Sequence, residues 1–215
     1  MGTDPDMNVR FGHTPPGRSS RFRSLILLGV VAAVVGLGIW LWRDLSARPA
    51  IYVVGDSITS LSAGSISTAL SNAGYDPTIR ATPGVKIGQA QNEVMTLAQN
   101  QPHAWIIELG TNDAGANDNT WLLPFLAEWN SVAPASCVIY VTISPRAGPV
   151  GTKINAAIQN LAATHRNVHV LDWGNVEYSN PSWVYPDQIH PTPQGQAALA
   201  SLETQELQRV CGAVR

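Results

Sequence analysis

Residues 51–59 read Ile51-Tyr52-Val53-Val54-Gly55-Asp56-Ser57-Ile58-Thr59. An apolar, mostly β-branched run of this length is the pattern of a strand buried on both faces, and Gly-Asp-Ser is chemistry for turning that strand into a helix. Similar apolar runs follow at 105–109, 138–143 and 168–171, with a weaker one at 77–81. Between them, apolar residues recur at helical spacing: Ile87, Ala90, Val94 and Leu97; then Leu122, Phe125, Leu126 and Trp129; then Ile154, Ile158 and Leu161. A last helix is expected over 193–210. Strands alternating with helices predict a parallel sheet of five strands covered by helices on both faces, a three-layer α/β/α arrangement. Pro124 is expected near the start of its helix, where a missing N–H does least harm.

Only 13% of the 215 residues are charged, about half the share usual for soluble proteins. Residues 25–42 account for part of the deficit: 18 uncharged, mostly apolar positions ending at Trp40 and Trp42. As a helix they would span about 27 Å, close to the hydrocarbon thickness of a bilayer. Arg10, Arg18, Arg21 and Arg23 precede the run, and only Arg43 and Arg48 follow it within the same neighbourhood. By the positive-inside bias, that asymmetry leaves the N-terminus in the cytoplasm. The expected organisation is a cytoplasmic tail over 1–24, a transmembrane signal anchor over 25–42, a linker over 43–49 and one folded domain over 50–215. A cleaved signal with a cut near Ala47 is the alternative; either version exports the domain. The expected localisation is therefore the plasma membrane, single-pass, with the domain extracytoplasmic. A seven-residue linker reaches at most about 25 Å, which keeps the domain close to the bilayer. The domain carries seven basic and twelve acidic residues without a basic stripe, which excludes nucleic acid as a natural partner. No sequence feature specifies an oligomeric state.

Three short motifs carry chemistry. Ser57 stands where a strand gives way to a helix, so its hydroxyl is exposed beside helix N–H groups that favour negative charge. Gly110-Thr111-Asn112-Asp113 ends the third strand and brings a side-chain amide to the same sheet edge. Asp187-Gln188-Ile189-His190 follows the last strand, and a carboxylate three residues before a His can fix its tautomer. Taken singly, these motifs also read as a helix cap, a turn and a chance surface pair. Taken together, they fall at the ends of strands on the edge where open α/β sheets bind ligands, in the order Ser, Asp, His.

With Gly55-Asp56-Ser57-Ile58-Thr59, the glycine of 82–88, Gly110-Thr111-Asn112-Asp113 and the stretch 187–195, the chain resembles the SGNH (GDSL-like) hydrolases over residues 50–205. The resemblance implies that Ser57 is the nucleophile and a backbone oxyanion donor, Asn112 the side-chain donor, His190 the general base and Asp187 its orienting partner. It implies a third donor from the Gly84 N–H, chosen over Gly88 by its place after the second strand. Ile58 stands where many members have Leu. The implied fold is the flavodoxin-like sheet in order 2-1-3-4-5, with Ser57 and Asn112 flanking its switch point. The implied activity is that of a serine esterase; with the expected anchor and short linker holding the active site near the outer face of a bacterial membrane, the expected substrates are acyl or acetyl esters of envelope lipids or glycans. No metal or organic cofactor is called for. An acyltransferase using the same site, and a catalytically silent glycan-binding module, are the alternatives.

Trp173, Tyr178, Trp183 and Tyr185 crowd a stretch just before the Asp187 and His190 pair. Trp173, Trp183 and Tyr185 could line a substrate site by stacking on a sugar or clasping an acyl chain, or they could plug the core beneath a long loop. His103, His165 and His169 share no metal spacing and read as solvated surface residues. Cys137 and Cys211 are expected to pair, because an exported domain meets oxidising conditions. Cys137 opens the fourth strand, and the last helix runs back from the His190 edge, so both cysteines belong to the opposite edge. A plain buried thiol at Cys137 is the other reading.

Overall fold

The structure, a computed structural model, describes residues 33–35, 37, 48–115, 119–135 and 137–212. The chain divides into two units, Met1–Ala47 and Arg48–Arg215. In the first, residues 33–35 and 37 are helical. The rest of the expected anchor over 25–42 lies outside the described residues, among which no helix is long and apolar enough to cross a membrane.

The second unit alternates strand and helix: β1 (Ala50–Gly55), α1 (Ser57–Asn72), β2 (Asp76–Ala81), α2 (Ile87–Ala98), β3 (Ala104–Glu108), α3 (Leu122–Val132), β4 (Val138–Val141), α4 (Pro149–Thr164), β5 (Val168–Leu171), α5 (Trp173–Tyr178) and α6 (Pro193–Val210). The five strands are all parallel, in order β2-β1-β3-β4-β5. Continuous apolar strands follow from burial on both faces. Neighbours such as Val53 and Val54, Ile106 and Ile107, or Ile139 and Tyr140 point to opposite sides and feed two separate cores. One core packs the sheet against α2, α3 and α4, and the other packs it against α1 and α6. Pro124 is the third residue of α3, within the first turn, where a backbone N–H would find no carbonyl of the helix to donate to.

The strand expected over 138–143 stops at Val141. The Asn155 side chain explains this, since it accepts from the Ile143 N–H at 2.8 Å and donates to the Ile143 carbonyl at 2.8 Å. That amide takes both backbone groups that a longer strand would give to a neighbour. At the opposite edge of the sheet, Cys137 and Cys211 form a disulfide with Cα atoms 5.7 Å apart. The Tyr75 hydroxyl donates to the Gly212 carbonyl at 2.8 Å, fastening the end of α6 a second time. Closing a loop of this length contributes about 4 kcal/mol on the chain-entropy model.

The histidines expected at the surface are more engaged than solvation implies. His165 ends α4, its Nδ1 lying 3.1 Å from the Leu161 carbonyl, and its ring meets Trp129 edge-on at 4.7 Å. His169 is half-buried on β5, and burial lowers its pKa.

Glu203 is fully buried on α6, and neither carboxyl oxygen has a partner among the described residues. Burial alone pushes its pKa up to about 8, so the folded protein holds a proton there at neutral pH. The unfolded chain does not hold it. Folding then takes up a proton between an ordinary glutamate pKa and 8, and stability must fall as pH rises through that window. Glu203→Gln should therefore raise the melting temperature at pH 8 by the equivalent of a few kcal/mol, and change it little at pH 5. Thermal unfolding at the two pH values checks this; an equal effect at both would refute the account of Glu203.

Candidate active site

Gly55 is the residue that lets β1 turn sharply into α1. A Cβ there would lie 1.9 Å from the Thr59 hydroxyl oxygen, so any larger residue would lift the first turn of the helix off the strand. Asp56 then caps that helix, its Oδ1 accepting from the Ile58 N–H at 3.0 Å. Ser57 is thereby freed from capping and stands as the first helical residue, half-buried at the sheet edge.

His190 arrives from the other end of the chain on a short hairpin. Val184 and Pro191 form an antiparallel bridge, the Tyr185 N–H donates to the His190 carbonyl at 2.8 Å, and Gln188 turns the tip with φ +62°. The Asp187 Oδ1 accepts from the N–H groups of Ile189 and His190, each at 3.0 Å, which folds the carboxylate back over the loop. Its other oxygen lies 2.9 Å from His190 Nδ1, and His190 Nε2 lies 2.9 Å from Ser57 Oγ. The two backbone N–H bonds, followed by the imidazole, lower the Asp187 pKa to about 2. An ionised Asp187 accepts the Nδ1–H, and that tautomer leaves Nε2 as an acceptor facing the Ser57 hydroxyl.

Asn112 enters from the end of β3. Gly110 takes φ +118°, and the N–H groups of Asp113 and Ala114 both donate to its carbonyl at 3.0 Å. The tight turn and the candidate site are thus the same feature, since the turn is what sends the amide across to β1. The Asn112 Nδ2 donates to Asp56 Oδ2 and to the Val85 carbonyl, each at 3.0 Å. Those two acceptors use both amide hydrogens and fix the direction of the group. An oxyanion there would share a hydrogen with the Val85 carbonyl rather than meet a free one. Gly84 occupies an exposed turn after β2 with φ +79°, whereas Gly88 faces the Pro124 ring within the helical layer, where a Cβ would come to 3.2 Å. That gives Gly88 a packing reason for its size. Asp113 is buried and accepts from the Ile87 N–H at 2.9 Å, capping α2 from outside its own segment.

The aromatic stretch divides. Trp173 is 2% exposed within the core and stacks on Trp183 at 6.1 Å, which removes it from the surfaces a substrate could touch. Burial of an indole this large stabilises more than surface display would. Trp183 is half-buried beneath the hairpin, and only Tyr185, 43% exposed, remains open beside His190. Tyr178 lies under the Arg146 guanidinium at 4.5 Å, away from the motif residues in sequence and bound into a salt bridge cluster with Glu177.

Sequence reasoning missed a buried acid. Glu108 ends β3 and is 1% exposed, with its Oε2 accepting from the Thr59 N–H at 3.3 Å and the Thr59 hydroxyl at 3.0 Å. The available signal was one carboxyl closing an otherwise wholly apolar strand, Ala104-Trp105-Ile106-Ile107-Glu108.

The sequence model of the GDSL-like lipase/acylhydrolase family matches residues 53–198. The chain belongs to that family. Membership makes it an ester hydrolase, and the matched span contains Ser57, Asn112, Asp187 and His190. Among curated proteins, the candidate peptidoglycan O-acetyltransferase YrhL of Bacillus subtilis (strain 168) is 29% identical over 163 residues, which are 73% of this chain but 23% of that relative. Among solved structures, the C-terminal catalytic domain of Streptococcus pneumoniae peptidoglycan O-acetyltransferase A is similar at TM-score 0.61 and 20% identity, covering 76% of this chain and 92% of that one. A Clostridium thermocellum family 3 carbohydrate esterase is similar at TM-score 0.62 and 15% identity, covering 77% and 98%. At these identities the structural likeness establishes the shared GDSL-like fold.

Proposed function

We propose that this GDSL-like hydrolase cleaves or transfers acetyl esters of cell-envelope glycans, with Ser57 as nucleophile, outside a plasma membrane to which residues 25–42 anchor it. The observation that carries the reading is the relay from Asp187 through His190 to Ser57, with 2.9 Å at each step. Ser57 Oγ attacks the ester carbonyl while His190 Nε2 takes its proton, and the anionic Asp187 stabilises the resulting imidazolium. The N–H groups of Ser57 and Gly84 and the Asn112 amide hold the oxyanion. Collapse expels the alcohol, which receives the proton from His190 and leaves an acetyl group on Ser57. His190 then deprotonates water, or the hydroxyl of an acceptor sugar, which attacks the acetyl-serine and regenerates the site.

Two features favour a glycan over lipid esters. The relatives named for peptidoglycan O-acetyl transfer and carbohydrate ester cleavage support that substrate class. Residues 48–50 enter the domain at the start of β1, whereas Ser57 follows its end, a strand length of about 20 Å away. A tether joined at residue 48 therefore enters at the sheet edge opposite the catalytic one. Residues 48–215, which form a unit of their own, should hydrolyse an aryl acetate and, given an N-acetylglucosamine oligomer, divert part of the acetyl group onto the sugar. Absence of any acetyl ester turnover would overturn the proposal; turnover with water as sole acceptor would assign hydrolysis.

A further inference from the structure

The acid missed in the sequence is one half of a buried pair. Asp56 is fully buried beside it, directly after Gly55, whose partner on β3 is Glu108 itself. No Lys or Arg side chain among the described residues bonds to either. The groups facing Glu108 are Thr59 on α1, Asp56 on the β1 to α1 turn, and Glu203 on α6. Those facing Asp56 are the Ile58 N–H, the Asn112 amide and Glu108, with the charges of His190 and Asp113 acting from farther off.

Two neighbouring carboxyls shut away from water cannot both be ionised, so the pair holds one proton. Hydrogen-bond bookkeeping assigns it. Asp56 already accepts at both oxygens, from Ile58 and from Asn112, which suits a carboxylate. Glu108 accepts twice at Oε2 from Thr59, leaving its other oxygen to carry the hydrogen that goes to Asp56. We infer that Glu108 is a positioning residue that works as a neutral acid: donating to Asp56 and accepting from Thr59, it aims the Asn112 amide and seats the helix turn bearing Ser57. The inference rests on the proposed roles of Ser57 and Asn112.

The pair has a direction of failure. Burial raises the pKa of both acids, that of Glu108 well above the ordinary glutamate range, so the pair keeps its proton to higher pH than free carboxyls do and loses it as pH rises further. A doubly charged pair repels, and Asp56 then no longer holds Asn112 in place. Turnover should consequently fall on the alkaline side with KM little changed.

The test measures kcat and KM against pH for the full chain and for Glu108→Gln and Glu108→Ala. Glutamine keeps a neutral donor toward Asp56 and an acceptor toward Thr59 but has no proton to lose. Glu108→Gln should keep kcat at pH 7 within a few-fold of wild type and abolish the alkaline fall. Glu108→Ala should lose about 10²-fold in kcat with KM changed far less. An alkaline fall unchanged in Glu108→Gln, or a loss in Glu108→Gln as deep as in Glu108→Ala, would overturn the inference. If Glu108→Ala does not fold, the pH profile of Glu108→Gln decides alone. Ser57→Ala, run beside them, separates the two claims: full activity in that variant sinks the functional reading itself, whereas its inactivity beside an unaltered Glu108→Gln profile sinks only the role of Glu108.

Discussion

Ser57→Ala should reduce ester turnover by about 10⁴-fold or more while leaving the melting temperature within a degree or two of wild type. The size of the effect follows from the role proposed for Ser57, in which Oγ carries the acyl group and gives its proton to His190. The small effect on stability follows from local structure. Asp56, not Ser57, caps α1, and the bond lost by the substitution is the one to His190. Alanine is also a better helix former than serine. Initial rates on an aryl acetate and a thermal melt of the same sample check both halves. Substantial turnover in a well-folded Ser57→Ala variant would remove Ser57 from the mechanism.

Gly195→Ala should damage stability and activity together. Gly195 lies in the first turn of α6, where a Cβ would stand 2.1 Å from the Trp183 carbonyl oxygen and 3.0 Å from its carbon. Those atoms are backbone and cannot rotate away. The same carbonyl accepts from the Thr192 N–H at 2.8 Å, and the Thr192 hydroxyl caps the helix by accepting from the Gly195 N–H at 3.3 Å. Pushing α6 off Trp183 therefore opens the base of the hairpin that carries His190. A cost of about 2 kcal/mol or more in denaturant unfolding is expected, with about 10²-fold lost from kcat because His190 is displaced. Gly64→Ala provides the contrast. Its Cβ would meet nothing within 4 Å on α1, so it should stabilise by about 0.5–1 kcal/mol. Equal effects from the two substitutions would contradict this account of the α6 start.

What the sequence made legible has a physical pattern. The strands were legible because burial on both faces demands unbroken apolar runs, and their parallel arrangement followed from alternation with helices, whereas their order came from the family resemblance. Ser57, Asn112, Asp187 and His190 were recognisable because each follows a strand, and parallel strands send such residues to one edge. What escaped depends on contacts distant in sequence. The end of β4 at Val141 is set by Asn155, twelve positions beyond Ile143. Trp173 looked equally suited to a substrate or a core, and only packing against Trp183 and the sheet decides. Glu108 gave a visible anomaly without a partner, because Asp56 and Thr59 reach it across the sheet from 49 to 52 positions away. Asn112 was legible as an amide at the site, while its engagement by Asp56 and Val85 was not.

The most direct test of the central claim is the site of covalent labelling by a fluorophosphonate, read by mass spectrometry of the digested full chain. The account predicts one adduct, on the peptide containing Ser57, absent from Ser57→Ala and formed far more slowly in His190→Ala. An active, unlabelled protein, or a stoichiometric adduct on a different residue, would contradict it.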